Sequence, residues 1–295
     1  MIRGLALSLA VCAAFAQAPS AYRAEIEKWR ADRAAGLLKD DGWLTVAGLF
    51  WLQEGENRVG AAASNQIVLP PGSAPARIGE FTFRSGKTVF TAEPGVTVTS
   101  DGKSVDKLEM QPDTSGSPTT IRIGALSMWV IHRGDRFGIR LRDLNSQARK
   151  QFQGLSWFEV SESWRIRARW VPYNPPKKVS ILNIVGITEE ASCPGYASFE
   201  IGGKDYRLEP TAEGGRLFFV FRDLTAGKET YPAGRFLYAD APKGGYVLLD
   251  FNRAYNPPCA FTPYATCPLP LPQNRLPLRI PAGEMNHPAA DLLGK

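Results

Sequence analysis

The stretch GEFTFRSGKTVFTAEPGVTVTSDG, residues 79–102, decides the fold class. It consists of short runs rich in β-branched and aromatic residues, cut by the turn pairs Ser85-Gly86, Pro94-Gly95 and Asp101-Gly102. Runs of this kind between Gly and Pro punctuation read as strands joined by turns. The same punctuation begins upstream at Gly55 and Pro71-Gly72, and its spacing is that of a sandwich or barrel. The 28 glycines and 23 prolines of the whole chain fit a turn-rich β protein.

Toward the N-terminus the period changes. Tyr22, Ile26, Trp29, Leu37 and several alanines recur at helical spacing, which predicts one amphipathic helix from Tyr22 to Leu38, ended by Asp40-Asp41-Gly42. Ahead of it stand Arg3, an apolar run from Leu5 to Phe15, and Ala14-Phe15-Ala16, the pattern of a cleavable secretory signal cut after Ala16. No later segment approaches the about eighteen uninterrupted apolar residues of a membrane-spanning helix. The expectation is a periplasmic or secreted protein without stable membrane insertion. Its formal charge of +6 comes from 35 basic and 29 acidic residues interspersed along the chain, which argues for solubility and against a nucleic-acid partner.

Within residues 57–130 the order of glycines and apolar residues is more particular. Gly60 precedes Asn65-Gln66-Ile67-Val68-Leu69, then come Ala76-Arg77-Ile78-Gly79, Asp101-Gly102 and Ile121-Arg122-Ile123-Gly124. This order resembles a forkhead-associated domain, a β-sandwich that usually binds phosphothreonine peptides. The resemblance implies the sandwich and not the ligand. Ala61 stands where that family places a phosphate-binding arginine, and Ala76 and Gly79 stand in place of its serine and histidine. A methyl group cannot replace a charge-assisted hydrogen bond to phosphate. A protein partner could dock on such a sandwich, but not through phosphothreonine.

Polar residues cluster from Asp143 to Gln153, the expected junction. Beyond it, strand-like runs lie at 163–171, 178–185, 197–201, 206–209, 217–222, 235–238 and 246–251, with Gly202-Gly203 and Gly244-Gly245 as hairpin turns. The predicted organisation is mostly β. It comprises a leader over 1–16, a helix over 17–40, a forkhead-associated-like sandwich over 41–150, and an antiparallel sheet or barrel over 151–295. The proline-dense last forty residues are expected to wrap the surface of that last domain as irregular chain.

The densest segment of that tail is Asp250-Phe251-Asn252-Arg253-Ala254-Tyr255-Asn256-Pro257-Pro258-Cys259, continuing to Thr266-Cys267-Pro268 and Gln273-Asn274-Arg275-Leu276-Pro277. Together with Asp41-Gly42-Trp43-Leu44, Gly48-Leu49-Phe50-Trp51-Leu52, Arg133-Gly134-Asp135-Arg136-Phe137-Gly138 and Gly227-Lys228-Glu229-Thr230-Tyr231, it closely resembles the family known as domain of unknown function 1684. That resemblance implies no activity, so candidate sites come from the residues themselves.

Loss of Cys12 with the leader leaves Cys193, Cys259 and Cys267. In an oxidising compartment Cys259 and Cys267 would form a disulfide pinning the tail. Only His132 and His287 are present, neither at metal-ligand spacing from the cysteines, and no metal or other cofactor is expected. Asp223, Glu229, Asp250 and Glu284 contain a possible acid and base pair, with Asp250 and either Asp223 or Glu229 the sharpest choice for a hydrolase. Carboxylates placed like Asp223 beside Arg222 and Asp250 beside Arg253 more often anchor turns through backbone hydrogen bonds. Arg235, Tyr255, Asn256, Tyr264, Asn274 and Arg275 could supply a small-molecule pocket with aromatic walls and oriented donors, or they could cap the barrel. Binding of a small polar or anionic ligand is the first functional expectation, a hydrolase the second, and an interaction scaffold the third. Gly-x-Ser-x-Gly, phosphate-loop and His-Glu-x-x-His motifs are missing from the sequence.

Overall fold

A computed structural model describes residues 20–287 of the 295-residue chain. The leader and Cys12 lie outside the described residues. The helix expected over 17–40 is α1 (Ala21–Leu38), opened by Ser20, whose hydroxyl accepts from the Arg23 N–H at 3.2 Å. Its buried face carries Ile26, Arg30 and Leu37. That face docks on the far end of the chain. The Tyr22 hydroxyl donates to Asp250 at 2.7 Å, Arg30 to the Phe158 carbonyl at 2.8 Å, and Arg33 to the Asn256 carbonyl at 2.9 Å.

The sandwich follows. Its strands are β1 (Val46–Trp51), β2 (Gly55–Gly60), β3 (Ile67–Val68), β4 (Gly79–Arg84), β5 (Lys87–Ala92), β6 (Thr99–Ser100), β7 (Lys103–Ser104), β8 (Lys107–Met110), β9 (Thr120–Ile123), β10 (Leu126–Arg133) and β11 (Arg136–Asp143). They form two sheets, ordered β1-β11-β10-β9-β6-β7 and β3-β2-β4-β5-β8. The alternation within residues 79–92 explains the packing. Phe81 and Phe90 are register partners across β4 and β5, point inward with ring centroids 5.1 Å apart, and meet Met128, Val130, Ile139 and Leu141 from the other sheet. In the loops that carry Ala61 and Ala76, backbone bonds run from the Ala61 N–H to the Pro75 carbonyl and from the Ala62 N–H to the Ala76 carbonyl. Unlike β4, strand β10 is buried on both faces through Ile131, with the Arg142 guanidinium lying over Trp129 on its outer side.

After the short helix α2 (Gln147–Lys150) come β12 (Arg165–Leu182), β13 (Thr188–Ile201), β14 (Lys204–Leu208), β15 (Thr211–Glu213), β16 (Arg216–Phe221), β17 (Arg235–Ala239) and β18 (Tyr246–Asp250). One sheet runs β14-β13-β12-β18 and the other β15-β16-β17, and every pairing in them is antiparallel. The predicted hairpin turns form at Gly202-Gly203 and Gly244-Gly245, with φ of +60° and +73°, and +58° and +80°. Positive φ at both central residues matches the right-handed twist of the flanking strands, and only glycine adopts it without strain. The core between the two sheets is built from Ala197, Phe199, Leu208, Phe219, Phe221, Leu237 and Leu249.

The tail corrects one expectation. Its chain is irregular, with 3-10 turns at Phe251–Arg253, Pro258–Ala260 and Pro272–Asn274, but it threads inward instead of wrapping the surface. Ala254, Phe261, Ala265, Leu276, Ile280 and Ala282 between the prolines are all buried. The backbone groups that the prolines leave available are paired one at a time, as from Ile184 N–H to the Cys267 carbonyl and from Leu269 N–H to the Leu182 carbonyl, at 2.9 and 2.8 Å.

Candidate functional site

Strand β16 contains the unbroken apolar run Leu217-Phe218-Phe219-Val220-Phe221. An antiparallel strand with one wet face alternates instead. The run is explained by two occupied faces. Leu217, Phe219 and Phe221 enter the core between the sheets. Phe218 and Val220, with their register partners Tyr238 and Phe236 on β17, line a cavity of about 680 Å³. Phe218 meets Phe236 edge-on at 4.9 Å and stacks on Tyr238 at 4.7 Å. Tyr255 extends this wall from the tail, bridged to the Phe236 backbone, with its ring 5.8 Å from Phe236 and the Arg33 guanidinium 4.6 Å above it. Burial pushes the Tyr255 phenol up to about 12 despite the nearby Arg33 charge.

The sandwich supplies another wall. On the outer face of β11, Arg136, Arg140 and Arg142 lie over Trp51, Trp43 and Trp129 at 4.1, 5.3 and 4.4 Å. Arg140 lines the cavity with Arg133 and is only 4% exposed. Arg133 is neutralised by Asp113 at 2.7 Å. Both guanidiniums donate to the Thr266 hydroxyl, at 3.2 Å from Arg133 and 3.3 Å from Arg140. Among the described residues no carboxylate pairs with Arg140, and its Nε has no acceptor. Burial, then repulsion from Arg133, lowers its pKa to about 10.

A third wall is the β12–β13 turn. The Asn183 side-chain oxygen accepts from the Val185 and Ile187 N–H groups at 3.1 and 3.0 Å, which fixes the turn, while its buried Nδ2 has no acceptor. Glu209 and Asn274 also line the cavity. Burial raises the Glu209 carboxyl, but donors on Tyr173, Gln273 and Lys177 more than reverse this, and its pKa ends below the ordinary value. Asn274 is committed to backbone, accepting from the Glu209 N–H and donating to the Glu209 and Val220 carbonyls.

Of the residues expected to bind a ligand, Tyr255 and Asn274 line this cavity, and the others lie elsewhere. Arg235 is buried in the core, donating to Asp223 at 3.1 Å, to the Ile280 carbonyl at 3.0 Å and to the Ala282 carbonyl. Asn256 is buried behind the tail and donates to the Met285 carbonyl at 2.7 Å. Tyr264 is exposed and offers Arg140 its backbone carbonyl at 3.4 Å. Arg275 is exposed on an outer groove with Lys204 and Arg207.

The expected acid and base residues are likewise dispersed, and none lines the cavity. Asp250 accepts from Tyr22 and from Asn252, Asp223 from Thr225, Arg235 and the Ile280 N–H, and Glu229 holds Arg279 through both oxygens at 2.6 and 3.1 Å. Among the described residues no three His, Cys, Asp or Glu side chains cluster for a metal ion, and no helix is long and apolar enough to cross a membrane. His132 stacks on Phe137 at 4.0 Å, on the sandwich.

The expected disulfide is not formed. Cys259 and Cys267 are adjacent thiols, and the Cys267 sulfur accepts from the Cys259 backbone N–H at 3.2 Å, serving as a cap for the Pro258–Ala260 turn. Cys267 lines the cavity, and burial beside the Cys259 thiol pushes its pKa far up. Cys193 is fully buried and donates to the Gly195 carbonyl.

Sequence reasoning missed Arg140, Arg133, Asn183, Phe218 and Phe236. Two signals pointed to them. One is the unbroken apolar run of β16, which implies a second covered face. The other is the alternation Arg136, Arg140, Arg142 against Phe137, Ile139, Leu141, which puts three arginines on one side of a strand whose neighbour β10 is apolar on both.

No curated protein matches the chain. A solution NMR structure of an uncharacterized protein from Haloarcula marismortui is 31% identical over 46% of this chain and 78% of that one, with a TM-score of 0.40. Two forkhead-associated domain structures are each 17% identical over 32% of this chain, with TM-scores of 0.23. One is the FhaA domain complexed with an intracellular domain and is covered over 97% of its length; the other, studied for phosphothreonine-dependent interactions, is covered over 92%. The family model described as "Protein of unknown function (DUF1684)" matches residues 150–285, the whole C-terminal β unit with its tail. That unit matches the DUF1684 family.

Proposed function

We propose that this protein binds a small polar or anionic molecule in the cavity between the sandwich and the C-terminal sheets. One observation carries the reading. A space of about 680 Å³ combines an aromatic wall with two buried side chains, Arg140 and Asn183, that each hold an N–H without an acceptor. Ligand sites commonly have this size and this mixture of apolar lining with a few oriented polar groups. Both side chains belong to the lining, so a polar or anionic ligand seated there would meet a buried cation and a buried amide. The hydrolase alternative draws no support from the placement of Asp250, Asp223 and Glu229, which are spent on structural bonds.

Thermal-shift screening of a broad small-molecule library tests the proposal. Binders should raise Tm, and Ala191→Phe, which fills the cavity without removing a polar contact, should abolish the rise. A library without a single binder, or binders indifferent to Ala191→Phe, would refute it.

The reading includes export. Outside the cytoplasm the adjacent Cys259 and Cys267 thiols would close to a disulfide, passing two electrons and two protons to a disulfide oxidant. Mass analysis of protein isolated from the envelope would find two hydrogens fewer than in the cytoplasmic form; recovery as dithiol would count against it.

A further inference from the structure

We infer that the ligand is a small monoanion, a carboxylic acid on a flat apolar body, and that the sandwich supplies the charge that recognises it. This rests on the cavity being a binding site and adds the ligand's chemical class.

The charge balance of the lining leads there. Arg33 pairs with Glu284 at 3.3 Å, Arg133 with Asp113 at 2.7 Å, and Glu209 with Lys177 at 3.2 Å. Glu189 and Glu213 are exposed to solvent. What remains is Arg140, buried, touching no carboxylate, and sharing the through-space influence of an Asp113 that is already held by Arg133. The adjacent group able to become an anion is Cys267, which burial keeps neutral as a thiol and which carries no charge in a disulfide. A buried charge with no ion-pair partner of its own is costly, and an anion arriving with the ligand offsets it. One positive charge matches a carboxylate, whereas a phosphate monoester carries about −1.5 to −2.

The polar groups next to Arg140 agree. Thr266 accepts from both arginines, so its own hydroxyl proton is left to donate. Asn183 contributes a buried amide to the same lining. Phe218, Phe236, Tyr238 and Tyr255 present rings to the rest of the ligand, and such rings favour stacked or edge-on contact with a flat body. Arg133, Arg140 and Thr266 join two parts of the chain, since the arginines belong to the sandwich and lie outside the region that matches the family model, while Thr266 lies within it.

The test uses the full chain with benzoate and cinnamate, and with benzamide and cinnamamide as neutral isosteres. The acids should raise Tm and the amides should not. Arg140→Met should weaken acid binding at least about tenfold, and the ligand-free variant should melt higher than the wild type because a buried lone charge is gone. Arg140→Lys keeps the charge and should retain part of the response. Amides that match the acids, an Arg140→Met variant that binds acids like the wild type, or one that melts lower without ligand would overturn the inference. Neutral binders that Ala191→Phe blocks would sink the monoanion alone and leave the cavity reading standing, whereas a library without binders removes both.

Discussion

Arg235 and Asp223 form an ion pair at 3.1 Å with both side chains only 1% exposed. The pair links β17 to the tail, because Asp223 also accepts from the Ile280 N–H at 2.7 Å and Arg235 donates to the Ile280 carbonyl at 3.0 Å. It is a structural clamp, so its loss should be felt in stability. Asp223→Ala leaves an unpaired buried guanidinium, and urea unfolding should show a loss of about 3–5 kcal/mol. A loss under about 1 kcal/mol would mean that the pair is not buried as described.

Glu284 is fully buried, bonded to Arg33 through one oxygen, with the other unpartnered. Burial raises its pKa against the pull of Arg33 and Asn256. A carboxyl whose folded pKa lies above its unfolded one binds more protons when folded. Its contribution to stability is therefore fully present below the ordinary carboxylate range and is lost as pH rises toward the elevated folded value. Glu284→Gln should remove that part of the pH dependence, measured as the urea midpoint between pH 4 and pH 8. Parallel profiles for variant and wild type would contradict this.

The Tyr22 hydroxyl donates to Asp250 at 2.7 Å and accepts from Asn252 at 2.9 Å, tying the start of α1 to the end of β18. Tyr22→Phe removes both bonds and leaves the ring. Unfolding should show about 1–3 kcal/mol of destabilisation, with acceptance of cavity ligands unchanged. An unaltered midpoint would show that the helix does not depend on this contact.

Much of the architecture was legible because it depends on local period and turn chemistry. The helix read from Tyr22 to Leu38 is Ala21–Leu38, and Gly202-Gly203 turns a hairpin as its glycines require. The tail was misread for a physical reason. Proline density reports the lack of ladder hydrogen bonds, but it does not report burial, and the apolar residues between the prolines pack into three separate clusters. The candidate site was read in part. Tyr255 and Asn274 stand on the cavity, while Arg235 and Asn256 are polar groups of the interior.

The chain's own letters determined the β class, the helix, the hairpins and the family signature, since each follows from spacing within a few residues. Which arginine is left without an ion-pair contact was decided by tertiary structure alone. Arg133, Arg140 and Arg235 look alike in sequence, and only folding puts Asp113 in contact with the first and Asp223 in contact with the third, while Arg140 touches no carboxylate and feels Asp113 only through space. Charge compensation depends on distances between residues far apart in the chain, and no local pattern encodes them.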